Sequence, residues 1–222
     1  MNAAVNGAEM PSTVIFIGPS LSRGEVLEYL PDAEIRPPVK RGDVSQAVSE
    51  GFSTIVIVDG VFFQSESVAH KEILAALKAG VKCFGSSSMG ALRAFEMEPF
   101  GMVGAGKIFE WYRSGKIIAD DEVGLLYDPE TGVALSDPMV NIRATFASAV
   151  SPGVISAEEE ASLLKTCKGI YYQERTYRRV IKESSLPEEK KASLILWVKK
   201  NAIDQKREDA KACLALVRDS NV

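Results

Sequence analysis

The 222 residues are 46% hydrophobic and 25% charged, with a formal net charge of −4, a make-up that excludes a disordered chain and supports a sizeable core. No apolar stretch is long enough to cross a bilayer, the opening MNAAVNGAEMP has neither a basic nor a long apolar region, and the three cysteines lack CxxC or Cys/His spacing; the expectation is a cytoplasmic protein with no structural metal. Residues 1–150 hold 12 Lys/Arg against 19 Asp/Glu and residues 151–222 hold 14 against 11, too dilute a basic surface for nucleic acid but compatible with an acidic protein partner.

Thr13-Val-Ile-Phe-Ile17 is a continuous β-branched and apolar run ending in Gly18-Pro19-Ser20, the pattern of a strand buried on both faces. Ser22 with Glu25 has capping-box spacing and predicts a helix to about Leu30, stopped by Pro31-Asp32. Arg36-Pro-Pro-Val-Lys-Arg-Gly-Asp43 reads as an extended connector to a short helix at about Val44 to Glu50. A second buried strand, Thr54 to Val58, runs into Asp59-Gly60, followed by a helix from about Val68 to Ala79 and a third strand at Val81 to Phe84. Strands separated by helices of this length imply a parallel sheet, whose carboxyl edge is where ligand chemistry collects. Ser20, Asp59 and Ser88 all fall at that edge.

Further helices are expected at Met89 to Glu98, Gly106 to Ser114 and about Pro138 to Ala149, with Asp120-Asp-Glu-Val-Gly124 opening a short element. Beyond Ser151-Pro-Gly153 the pairs Ser156/Glu159 and Ser185/Glu188 have capping-box spacing, and apolar residues recur at helical intervals through Val217. The fold class is therefore α/β: a small parallel sheet flanked by helices, with an all-helical C-terminal extension. Its parts are a flexible N-terminus (1–12), an α/β core (13–150) and a helical region (151–222).

The run VKCFGSSSMGALRA sets Ser88 between a strand end and a helix start, where a hydrolase carries its nucleophile and where N–H groups of the first helical turn can form an oxyanion hole. Read as G-x-S-x-G, Ser86-Ser87-Ser88-Met89-Gly90 keeps the second glycine and lacks the first. On pattern alone a helix cap outweighs a nucleophile at Ser88, and Ser86 and Ser87 compete for either role. The base for a serine is the sole histidine, His70, oriented by Asp59 or Asp120, or else Lys71, made neutral by a dry site or a cationic neighbour such as Arg93. Asp120-Asp121-Glu122 is not spaced to complete a metal shell, and acids are favoured at a helix N-terminus in any case. Gly18-Pro-Ser-Leu21 is neither a dinucleotide nor a phosphate loop.

GPSL (18–21), RPPVKRGD (36–43), IVDGVFF (57–63), HKEIL (70–74), SMGALRAFE (88–96), PFGMVGAGKIFEWY (99–112), DDEV (120–123) and MVNIRAT (139–145) together make the chain resemble the TfuA-like proteins across residues 14–150. The resemblance implies work beside a YcaO enzyme in peptide or protein backbone thioamidation, by hydrolysis of a thiocarboxylated ThiS-like sulfur carrier to release sulfide. It also implies a Ser-Lys pair: the serine is Ser88 and the lysine Lys71, with Lys40 and Ser20 as competitors, the N–H groups of Met89 and Gly90 as oxyanion donors, and Asp59, His70, Arg93 and Asp120 in support. Neither metal nor organic cofactor is required. The alternatives are a non-catalytic docking module that recruits carrier and substrate to YcaO, with Ser88 only capping its helix, and sulfur relay through Cys83, a residue expected to be buried.

Overall fold

Alternation explains the sheet first: Val14 and Phe16 lie in one apolar layer while Ile15 and Ile17 lie in another, and Ile55/Ile57 against Val56/Val58 repeat the split. The computed structural model describes residues 12–62, 66–128 and 130–220, so the expected flexible N-terminus falls, but for Ser12, outside the described residues. Strands β1 (Thr13–Phe16), β2 (Glu34–Arg36), β3 (Thr54–Ile57), β4 (Lys82–Ser86) and β5 (Val103–Ala105) form one parallel sheet in the order β2-β1-β3-β4-β5. The α/β class and the parallel sheet are as expected from the sequence. The edge strands β2 and β5 are additions, each three residues long, too short to show a period.

Helices α1 (Arg23–Tyr29), α2 (Asp43–Ser49), α3 (His70–Lys78), α4 (Met89–Met97) and α5 (Lys107–Arg113) accompany the strands. Residues of α2 to α5, among them Val44, Ile73, Ala91 and Ile108, share the core layer of Val14 and Phe16. Helices α6 (Met139–Val150), α7 (Ala157–Gly169), α8 (Tyr177–Glu183) and α9 (Glu188–Asn201) enclose a core of their own around Ile142, Phe146, Leu163, Ile181 and Leu194. The box at Ser156 is formed, its hydroxyl accepting from Glu159 N–H. That at Ser185 is not, because α9 starts only after Pro187.

The last helix, α10 (Gln205–Ser220), leaves this bundle and returns to the sheet. Its Ala210, Cys213, Leu214 and Val217 pack with Val26 of α1 against Ile15, Val56, Val58 and Phe84. Without α10 that face of the sheet would be covered mainly by a helix of seven residues. The helical extension drawn at 151–222 is therefore divided: α7 to α9 stand together, whereas α10 is the second outer layer of the α/β sandwich.

The motifs DDEV and MVNIRAT join the bundle to the sandwich. Glu122, in a 3₁₀ turn at Asp120–Glu122, accepts two 2.8 Å bonds from Arg143 Nε and Nη2. Arg175, 1% exposed, donates through Nη1 and Nη2 to the Asp121 carbonyl and carboxylate and through Nε to the carbonyls of Cys167 and Ile170. These carboxylates hold guanidinium groups, and no cluster of metal-binding side chains occurs among the described residues. No described helix is long and apolar enough to cross a membrane.

Candidate functional site at the carboxyl edge of the sheet

The connections leave β1 toward β2 on one side and β3 toward β4 on the other, so the sheet switches direction between β1 and β3. A crevice outside the carboxyl ends of the strands opens at such a point. The turn after β1 and the residues after β3 meet there through Asp59. Its Oδ2 accepts from the N–H groups of Gly18 (2.9 Å) and Ser20 (3.0 Å), and its Oδ1 from the Ser20 hydroxyl (2.7 Å). GPSL is thus a carboxylate-binding turn. A Cβ at Gly18 would lie 2.5 Å from Pro38 Cγ, which accounts for the glycine. The RPPVKRGD segment clips to the same place: Val39 N–H donates to the Asp59 carbonyl and Val61 N–H to the Val39 carbonyl. Lys40 is exposed, so that motif positions Asp59 and contributes no base.

Three consecutive serines, Ser86 closing β4 and Ser87 and Ser88 after it, each have a different task. Ser86 directs its hydroxyl to the carbonyls of Ala105 and Asp209, both at 2.8 Å, tying β5 and α10 together. Ser87 is the one non-glycine residue with positive φ among those described, at 66°, a conformation that costs about 1–3 kcal/mol and persists where surroundings enforce it. Its buried hydroxyl donates to Ser20 Oγ at 3.1 Å, extending a chain Ser87 to Ser20 to Asp59. That kink turns the backbone so that Ser88 opens α4.

Ser88 occupies the N-cap position, yet its side chain makes no capping hydrogen bond. Ser88 lines a small cavity of about 30 Å³ together with Asp59, Gly60, Tyr127 and Lys206. Of the two expected oxyanion donors, Gly90 is spent: its N–H bonds the Val58 carbonyl at 3.2 Å. Close packing is the reason, since a Cβ at Gly90 would fall 1.8 Å from the Ile57 carbonyl oxygen. Met89 N–H has no acceptor among the described residues.

The lysine that reaches this cavity is Lys206, at the start of α10 and 2% exposed. Its Nζ donates to the Val123 carbonyl at 3.2 Å and lies 3.7 Å from Asp59 Oδ1. Burial pushes the Lys206 amine below the ordinary lysine range, and Asp59 pulls in the opposite direction. Its backbone is anchored where Lys206 N–H meets Asn141 Oδ1 of MVNIRAT at 3.1 Å, and Asn141 Nδ2 in turn meets Asp204. Asp209, one turn on, accepts from Ile108 N–H and Gln205 Nε2, and burial raises its carboxyl.

The other expected residues fall elsewhere. Lys71 is exposed on α3 and does not line the Ser88 cavity, whereas Lys206 does. His70, Arg93 and Asp120 line a separate cavity of about 540 Å³, which shares Phe62 with the first. There Glu96 Oε2 lies 2.8 Å from His70 Nε2 and 2.6 Å from Arg93 Nη1, while Arg93 Nε bonds the Val68 carbonyl. These are contacts that fix the loop before α3. Cys83 is buried, with its thiol pushed up to about 12, which removes the thiolate a sulfur relay needs.

Lys206 had a signal in the sequence. The apolar stripe Val217, Cys213, Ala210 of α10, continued one turn back from Ala210, lands on Lys206, a charged residue at a core position of an amphipathic helix.

A family model described as TfuA-like protein matches residues 59–176, just over half of the chain. The match begins at Asp59 and takes in Ser88, Glu122 and Arg143; Ser20 and Lys206 lie outside it. No curated protein matches the chain.

Proposed function

Because this chain belongs to the TfuA-like family, we propose that it serves YcaO-dependent thioamidation by hydrolysing a thiocarboxylated, ThiS-like sulfur carrier, with Ser88 as nucleophile and Lys206 as its proton acceptor. Family membership supports the coarser part, an accessory role in YcaO-associated thioamidation. The catalytic part rests on one observation: Ser88, whose side chain makes no capping hydrogen bond, lines a cavity with a buried lysine of lowered basicity at the switch point of a parallel sheet.

In the first step the carrier's terminal acyl carbon accepts Ser88 Oγ. Lys206, as the free amine, takes the hydroxyl proton and passes it to the sulfur, which departs with the C–S bonding pair as HS⁻. The anionic thiocarboxylate and neutral serine thus become an ester and hydrosulfide, with charge conserved. Water then attacks the ester under the same lysine, giving the carrier carboxylate, a proton and free Ser88. Met89 N–H is the oxyanion donor, and Asp59 holds the Lys206 ammonium formed in transit. Metal and organic cofactor enter neither step. A non-catalytic module with Ser88 as a cap is disfavoured because that hydroxyl caps nothing.

The test is sulfide release from a ThiS-type carrier bearing a C-terminal thiocarboxylate. Ser88→Ala removes a hydroxyl with no structural bond, so the variant should fold normally and lose release by a factor of about 10³ or more. Release by Ser88→Ala at the wild-type rate would end this reading.

A further inference from the structure

We propose that the carrier docks as an acidic protein on the groove between α8 and α9 and feeds its C-terminal tail toward Lys206 from that side. The inference rests on the function proposed above. A cavity of about 550 Å³ lies between these helices, floored by Ile181, Ile195 and Val198 and edged by Arg178 and Lys199. Both cations are exposed and form no ion pair among the described residues, and Lys182 and Lys200 on the same helices are likewise unpaired. Their neighbours Arg179, Lys190 and Lys191 are neutralised by Glu183, Glu159 and Glu188. Residues 177–200 carry seven Lys/Arg against three glutamates, so the surplus charge that sets the last third of the chain apart is concentrated here.

The groove and the Ser88 cavity have walls in common with one intervening cavity. The groove shares Asp137, Tyr177 and Ala202 with this second cavity of about 220 Å³, and that cavity shares Pro19, Leu125 and Lys206 with the one holding Ser88. Asp137 is the acidic group lining the groove; burial raises its carboxyl and it accepts Tyr177 N–H at 2.9 Å. In the 540 Å³ cavity, Glu96 already neutralises Arg93 and holds His70. Unsatisfied positive charge around an apolar floor favours an acidic partner with a few apolar anchors, and such rim charges act mainly on encounter.

The experiment compares two substrates: thioacetate, too small to span the groove, and the thiocarboxylated carrier. In Arg178→Glu/Lys199→Glu, KM for the carrier should rise about tenfold, with kcat held and the salt sensitivity of KM reduced. Thioacetate turnover should be unchanged, which also reports that the variant is folded. Carrier kinetics indistinguishable from wild type would overturn the docking surface. If the wild type hydrolyses neither substrate, the proposed chemistry fails separately. Fluorescence anisotropy of labelled carrier then decides the docking: about tenfold weaker binding to the variant supports it and equal binding refutes it.

Discussion

Replacing Lys206 by methionine separates the two lysines that the serine could use. Methionine keeps the length and volume of the stem but deletes the amine. Loss of a general base of this kind lowers turnover by about 10²–10⁴, or roughly 3–5 kcal/mol in the barrier. The effect on stability should be smaller. The bond from Nζ to the Val123 carbonyl is lost, worth about 1.5–3 kcal/mol for a charged donor, while the burden of burying an ammonium disappears with it. Asp59 is not orphaned, since Gly18 N–H, Ser20 N–H and the Ser20 hydroxyl still reach it. The melting temperature should therefore fall by less than about 10 °C, at about 2–4 °C per kcal/mol for a chain of this size. Sulfide release, followed electrochemically under carrier-saturating conditions, is the assay, with Lys71→Ala beside it. Lys206→Met at more than a third of the wild-type rate, or Lys71→Ala as damaged as Lys206→Met, would refute the assignment.

Other outcomes follow from the same geometry. Lys206 accepts a proton only as the free amine, so release should increase with pH through its folded-state value, which burial holds below 10.5; Asp59→Asn removes the influence that raises it, and the rising limb should move to lower pH, whereas a limb that stays or moves up contradicts the pairing. Gly90→Ala places a methyl group 1.8 Å from the Ile57 carbonyl oxygen and should destabilise the fold by about 3 kcal/mol, visible as a melting temperature lower by about 6–12 °C; an unchanged melt would show that α4 can lift from β3 freely. Cys83, Cys167 and Cys213 are buried with thiols pushed up to about 12, so iodoacetamide at pH 8 should label the native protein slowly and leave sulfide release intact; rapid inactivation would revive a thiol-based route.

The central strands β1 and β3 were legible because each is a fully buried run of apolar and β-branched residues, and β4 because it follows a helix in βαβ order; β2 and β5 were hidden by their brevity, and Gly104 in β5 weakens its pattern further. Ser20, Asp59 and Ser88 were legible as a group because topology alone sends strand ends to one edge. What topology could not say is which serine hydroxyl is left without a partner among the described residues. That depends on Ser86 meeting the Asp209 carbonyl of a distant helix and on Ser87 meeting Ser20. Lys71 attracted attention through its motif, HKEIL. The residue of that motif with structural work is Glu72, whose carboxylate accepts from Gly42 N–H at 2.8 Å and holds the connector before α2. Lys206 was obscured by a separation that no short motif bridges.

The proposed proton acceptor stands on α10, which makes the candidate site a product of the whole fold. The chain must complete the sheet, build the α6 to α9 bundle and come back before any amine stands beside Ser88. Closing the loop from residue 88 to residue 206 costs roughly 4 kcal/mol of chain entropy beyond a constant, recovered by the apolar contacts of Ala210, Cys213, Leu214 and Val217. A chain whose final helix is detached keeps its serine and its strained turn but would lack the proton acceptor proposed for it. On the proposed mechanism, release of sulfide would thereby be conditional on complete folding, a safeguard that a lysine carried on the neighbouring α3 would not provide.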